Sequence, residues 1–231
     1  MAGRLLSLLA EAPRLIVSLP ANSPDLARAA ADGGADALKV HINVLHEASG
    51  TRFGDLAAER PALEQILSLG LPTGIVPGAG EQMASAQDMR DLAAMGCDFF
   101  DLYAHHMPAW LTGFDGMTRT VAIDHTADAS AIAHFEHLGF EMLEAAVVPH
   151  EGYGKPLSVQ DLVTYRQIRQ STALPIILPT QRAIDPDEVA LLITNTGLNA
   201  LMIGAIVTGR QPGTLRAATE RFAGALAALH G

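Results

Sequence analysis

One cysteine, Cys97, stands in 231 residues. No disulfide can close within the chain, and a lone thiol suits a reducing compartment. No run of Lys and Arg occurs, and the formal charge is −10 with a pI near 5.2. Such a balance repels a phosphate backbone, so nucleic-acid binding is not expected. No uninterrupted apolar stretch reaches the roughly eighteen residues that cross a bilayer, so no membrane partner is expected either. The opening "MAGRLLSLLAEAPR" lacks a long apolar core, and Glu11 and Pro13 interrupt it at once. It reads as a helix of the domain rather than a signal peptide, which predicts a cytoplasmic protein. Linkers rich in Ser, Gly and Pro are missing too, so a single domain over residues 1–231 is expected. At 49% hydrophobic residues the chain can bury a substantial core.

What is present is a regular alternation. Eight short apolar runs recur: 15–19, 37–44, 73–78, 98–104, 119–124, 141–148, 175–180 and 200–207. Segments with amphipathic helical spacing separate them. Ser23, Ser158 and Asp185 stand at helix N-cap positions, and Pro24 and Pro186 at first helical positions. "GGADAL", "MGCDFF", "LGFEML" and "TGLNAL" introduce the second, fourth, sixth and eighth runs, each with a Gly followed by Asp, Glu or Asn. Eight such βα units predict an α/β protein, a single (β/α)₈ TIM barrel, in preference to an open doubly wound sheet.

In a barrel the chemistry belongs where strands end. "LKVHIN" alternates Lys39, His41 and Asn43 with apolar residues, so the three share one face of the second strand. That stripe is tolerable only if it climbs the interior toward the mouth, since an unpaired buried charge is costly. The fourth run places Asp101, Tyr103 and His105 on one face, and the sixth places Glu144 and His150 on one face. Asp124 ends the fifth, and Tyr153 sits in the "EGYGK" segment beyond the sixth. The nine histidines show no HxH or HExxH spacing, so no metal or other cofactor is expected. After the seventh and eighth runs, Arg182 and the Gly204, Ala205 and Thr208 segment form a candidate phosphate cradle, with Arg210 a further donor.

Taken in order, these residues resemble the N-acetylmannosamine-6-phosphate 2-epimerases of the ribulose-phosphate-binding barrel superfamily. "LIVS", "GADALK", "AIDHTAD", "EGYGKPLS", "RAIDPDEV" and "MIGAIVTGR" carry the likeness. The resemblance places Lys39 where the family has an arginine, Asp124 at an acidic position, and Arg182, Gly204 and Thr208 in the phosphate loops. It implies a barrel that takes a phosphorylated ligand. The family's catalytic lysine and glutamate are replaced by Pro77 and Thr180, neither of which can move a proton at carbon.

The resulting expectation is an enzyme acting on a small phosphorylated sugar or similar carbonyl compound, an isomerase, epimerase or lyase that abstracts a proton next to a carbonyl. Lys39 would polarise the carbonyl or form a Schiff base, its pKa lowered by desolvation. His41 or Glu144 would move the proton and Asp124 would orient it. Asn43, Tyr103, His150 and Tyr153 would bind the substrate, and Arg182, Gly204, Ala205 and Thr208 its phosphate. Two alternatives stay open: a barrel that binds a phosphorylated ligand without catalysis, and a lyase using a divalent metal on His41, Glu144 and His150. Association with copies of itself through the outer helices is a further expectation.

Overall fold

The computed structural model describes residues 3–229. Met1, Ala2, His230 and Gly231, which the expected domain bounds include, lie outside the described residues. Strand β1 (Arg14–Ser18) follows a short helix α1 (Arg4–Leu9) and leads to α2 (Pro24–Asp32) and β2 (Ala37–His41). A two-stranded antiparallel ribbon, β3 (Leu45–His46) and β4 (Thr51–Arg52), then precedes α3 (Leu56–Leu67). The middle of the chain runs β5 (Thr73–Val76), α4 (Ala86–Met95), β6 (Phe99–Tyr103), β7 (Thr118–Ile123), α5 (Ala129–Ile132) and β8 (Met142–Ala145). It finishes with α6 (Val159–Ser171), β9 (Ile176–Pro179), α7 (Val189–Thr196), β10 (Ala200–Ile203), α8 (Ala205–Thr208) and α9 (Pro212–Ala227). Eight parallel strands close in the order β1-β10-β9-β8-β7-β6-β5-β2. The chain is a single (β/α)₈ TIM barrel.

Each of the eight apolar runs holds one barrel strand, with β1 and β7 starting one residue before their runs, and the strands end one to four residues before the runs do. The rim segments keep an apolar pattern after ladder pairing has stopped. On β2 the change is abrupt: Asn43 adopts φ 56, the single positive value at a non-glycine residue among the described residues. Asn tolerates this left-handed conformation better than most side chains.

The helix starts follow their caps. Ser23 caps α2 with Pro24 at its first position, and Ser158 forms a capping box with Asp161 at α6. Asp185 and Pro186 open a short 3₁₀ turn before α7.

The Gly-plus-acid signature has a structural cause. Gly34, Gly96, Gly139 and Gly197 all have positive φ between a helix or turn and the next strand. The polar residue behind each glycine then binds backbone N–H groups at the N-terminal end of the barrel. Asp36 accepts from Leu15, Glu141 from Arg119 and Asn199 from Ile176, at 2.8, 3.1 and 2.9 Å. These three satisfy the amides that open β1, β7 and β9. Asp98 instead accepts from Arg4 and Leu5 and so holds the start of α1.

Two cores result. Outward-facing residues such as Val40, Phe100, Val121, Leu143 and Leu178 pack under the helices. Inside the barrel, Ile16, Ala37, Phe99, Met142, Ile177, Ala200 and Met202 meet Leu5 and Leu9 of α1, which plug the N-terminal end. Phe99 fills this floor only because its neighbour on β5 is Gly74: a Cβ there would lie 2.1 Å from the ring.

Candidate active site

Above the apolar floor the barrel opens into a cavity of about 300 Å³ at the C-terminal ends of the strands. Its walls follow the inward register: Ser18 of β1, Lys39 and His41 of β2, Asp101 and Tyr103 of β6, and Glu144 of β8 are among them. Thr180, Gln181, Gly204 and Ala205 close the side after β9 and β10.

Lys39 is the centre of this layer. Its ammonium donates to Asp101 Oδ2 at 2.7 Å and to Glu144 Oε2, and all three side chains are buried. The carboxylates lie 62 and 105 residues away in the chain. Burial opposes the charge on Lys39, but Asp101 and Glu144 together outweigh it and raise its pKa above the ordinary 10.5. The expected lowering by desolvation is therefore overturned: two carboxylates in contact stabilise the ammonium more than burial penalises it.

The Glu144 carboxyl is pushed well above the usual range, first by burial and then by Asp101, against the pull of Lys39. One ammonium between two carboxyl groups leaves the trio one positive charge short of neutrality. That deficit is why a proton binds more tightly at Glu144 than at an ordinary carboxyl.

Two imidazoles lie beside the trio. Burial, then His46 and Lys39, hold the His41 pKa well below its ordinary value, and burial with Lys39 lowers that of His46 to about 4. Both rings are thus neutral at pH 7. The ribbon creates this environment by folding His46 and Phe53 onto His41, with ring centroids 4.5 and 4.9 Å away. His46 Nδ1 lies 2.8 Å from Ser49 Oγ. The backbone of His41 is clamped in turn: Asn22 Nδ2 donates to its carbonyl at 2.6 Å and to Glu59 Oε2 at 2.8 Å.

His41 Nδ1, Asp101 Oδ1 and Thr120 Oγ1 are buried without a hydrogen-bond partner in the protein. A buried polar atom left unpaired costs about 1–3 kcal/mol.

The structure gathers Lys39, His41, Glu144, Tyr103, Tyr153, Gly204 and Ala205 around one cavity. Other candidates point elsewhere. Asn43 leaves the strand alignment and donates to the Pro77 carbonyl at 3.4 Å. Asp124 bonds Thr126 and approaches His105 at 3.4 Å, outside the cavity wall. His150 is exposed, 3.8 Å from Glu47. Arg182 pairs with Asp161 at 2.9 Å and donates to the Gly152 carbonyl at 3.0 Å, and Thr208 Oγ1 bonds the Gly209 carbonyl. Neither of these two reaches the cavity wall. Arg210 lies 3.4 Å from Thr51 of the ribbon.

Among the described residues no group of three His, Cys, Asp or Glu side chains is placed to hold a metal ion, and His41, Glu144 and His150 do not form one. Nor is any helix among the described residues long and apolar enough to cross a membrane.

Sequence reasoning underused Asp101, His46 and Gln181. Asp101 was findable, because it precedes Tyr103 by two positions on the same strand face. His46 and Gln181 lie in rim segments where alternation no longer specifies direction.

No protein-family model matches the chain, and no curated protein matches it. Solved structures do. A chain of Mycobacterium tuberculosis tryptophan synthase superimposes with a TM-score of 0.74 at 16% identity, over 98% of this chain and 99% of that one. Phosphoribosyl anthranilate isomerase from Thermus thermophilus gives 0.63 at 15%, over 94% and 99%. The monomeric form of the dimeric isomerase from Thermotoga maritima gives 0.63 at 13%, again over 94% and 99%. At these identities the likeness establishes the shared barrel fold.

Proposed function

We propose that the barrel is an enzyme that enolises a small phosphorylated carbonyl compound, in the manner of a sugar-phosphate isomerase, epimerase or lyase. The observation that carries this reading is Lys39 held as an ammonium between Asp101 and Glu144 on the cavity floor. A fixed cation in a water-poor site stabilises the negative oxygen that forms when a proton leaves the neighbouring carbon. The ionised form of Glu144 takes that proton, and a carboxylate whose pKa is raised is a stronger base for the purpose than an ordinary one. Lys39 is accordingly the electrophile and Glu144 the proton carrier, with Asp101 positioning the ammonium. A Schiff base is disfavoured, because an amine kept protonated has no free lone pair. His41, neutral and beside Lys39, serves as a hydrogen-bonding wall for the substrate or as relay for the proton.

The phosphate arm has separate support. Gly204 and Ala205 line the cavity at the end of β10; the Gly204 amide is already given to Thr180 Oγ1 at 3.1 Å, so a phosphate would be held by the amides that follow it in α8. This is the rim position where barrels commonly hold phosphate through backbone amides. The resemblance in "MIGAIVTGR" leads to the same segment. Among the fold neighbours is an isomerase whose name carries a phosphoribosyl group. A cavity of about 300 Å³ suits a substrate at the small end of the ligand range.

The test is proton exchange in deuterium oxide with a panel of phosphorylated aldoses and ketoses, read by NMR. The reading predicts deuterium at the carbon next to the carbonyl for at least one compound, with Glu144→Gln slower by about 10²–10⁴-fold. A compound that raises the melting temperature yet exchanges at the uncatalysed rate would replace the enzyme with a ligand-binding barrel.

A further inference from the structure

Gln181 follows β9 and is buried with both amide hydrogens committed. Its Oε1 accepts the Val148 backbone N–H at 3.0 Å, which a nitrogen could not do. Its Nε2 donates to the Ala146 carbonyl at 3.2 Å, which an oxygen could not do. The orientation of the amide is therefore settled by two backbone groups of fixed character. The second Nε2 hydrogen goes to Tyr153 Oη at 2.7 Å. Both N–H bonds are then used, so the phenol oxygen is the acceptor in that pair. Its own hydrogen turns away from Gln181, and the ring lines the cavity.

The loop that carries Tyr153 is tied to the same stretch at three further points. Gly154 N donates to the Gln181 carbonyl at 2.9 Å, and Ala183 N to the Lys155 carbonyl at 3.0 Å. Arg182 Nη1 donates to the Gly152 carbonyl, packed so closely that a Cβ on Gly152 would lie 2.8 Å from it. Arg182 thus braces the ring's loop rather than reaching the cavity.

From this accounting we infer that Gln181 is a positioning residue which fixes the Tyr153 hydroxyl as a one-way hydrogen-bond donor toward a ligand oxygen in the cavity. The position selects acceptors, such as a carbonyl, enediolate, carboxylate or phosphate oxygen, and disfavours ammonium or amide N–H groups. That the oxygen belongs to the reacting carbonyl rests on the enolisation reading above; the polarity of the hydroxyl does not.

Tyrosine labelled with ¹³C at Cζ yields one signal for each of the three tyrosines, with Tyr153 assigned through Tyr153→Phe. Accepting a hydrogen bond stabilises a phenolate, so Gln181→Met should raise the Tyr153 pKa and leave Tyr165 unmoved. An unchanged Tyr153 titration overturns the inference. In a binding arm, 2-phosphoglycolate serves as the probe, its planar carboxylate standing in for an enediolate. Tyr153→Phe should weaken it about tenfold or more. Gln181→Met should weaken it less, and the double variant should bind no worse than Tyr153→Phe alone. Additive losses, or full affinity in Tyr153→Phe, contradict the inference. Tyr153→Phe leaves the backbone bonds of Gln181 in place, so this arm decides should Gln181→Met fail to fold. If the wild-type protein does not bind 2-phosphoglycolate, the enolisation reading fails while the tyrosine titration still decides the polarity.

Discussion

Ala37, Phe99 and Met142 point into the lower half of the barrel, and two residues further along the same strands Lys39, Asp101 and Glu144 point into the upper half. A rise of about 7 Å separates the two sets. Below, apolar side chains and the plug from α1 close the cylinder, and burial is all gain. Above, three ionisable groups are buried together, with unpartnered polar atoms beside them. A buried ion pair is often no more stable than apolar side chains of similar volume. The upper layer therefore gives up stability that the lower layer supplies. The same strand geometry serves both because alternation repeats at every second residue and does not prescribe what stands there.

The contrast can be broken from either side. The largest effect is expected from Lys39→Met, which strands two buried carboxyl groups. It should destabilise the fold by about 3–5 kcal/mol in denaturant titration and abolish deuterium exchange. Adding Glu144→Gln should recover part of the stability and none of the exchange. A single variant that keeps exchange near wild-type rates would remove Lys39 from the chemistry. From the other side, Leu5→Ala in the plug should cost about 2–5 kcal/mol, with exchange per folded molecule and probe affinity unchanged. A loss of affinity there would mean that floor and mouth are mechanically coupled.

A smaller effect sharpens the comparison through pH. His46 is neutral in the folded protein down to about pH 4, whereas unfolded chains protonate histidine near 6.5. Between those values the unfolded state binds more protons, so this contribution is complete above pH 6.5 and is lost as pH falls toward 4. Glu144, with its raised pKa, works in the opposite sense: its folded form gains relative stability as pH falls through its own elevated pKa toward 4.5. Melting curves of wild type against His46→Gln separate the two. The variant should gain on the wild type steadily from pH 6.5 to 4, and parallel curves would show that His46 is not buried as described.

The fold was legible because its signals are local. Each strand lies in an apolar run, α2 and α6 start at a Ser and the turn before α7 at an Asp, and the Gly-plus-polar signature marks a left-handed turn followed by an amide cap. Lys39, His41 and Glu144 were legible through alternation within their own strands. What could not be read was pairing across the barrel: nothing near residue 39 specifies that its partners come from β6 and β8. The same limit explains Arg182, whose positive charge suits phosphate as well as it suits Asp161. Asn43 shows a second limit, since a two-residue period has no meaning once the backbone turns left-handed. The strands β3 and β4 are two residues each, too short to show alternation, so nothing in the sequence points to the neutral environment of His41.

The central claim is that Lys39 remains an ammonium because two carboxyl groups hold it there. The chain has two lysines, and the other, Lys155, is exposed. Lysine labelled with ¹³C and ¹⁵N therefore gives a two-signal spectrum in which Lys39 can be followed by NMR as pH rises. The account predicts that Lys39 is still fully protonated at pH 10.5 and titrates at lower pH in Asp101→Asn. A Lys39 that loses its proton below pH 10.5 in the wild-type protein would contradict it.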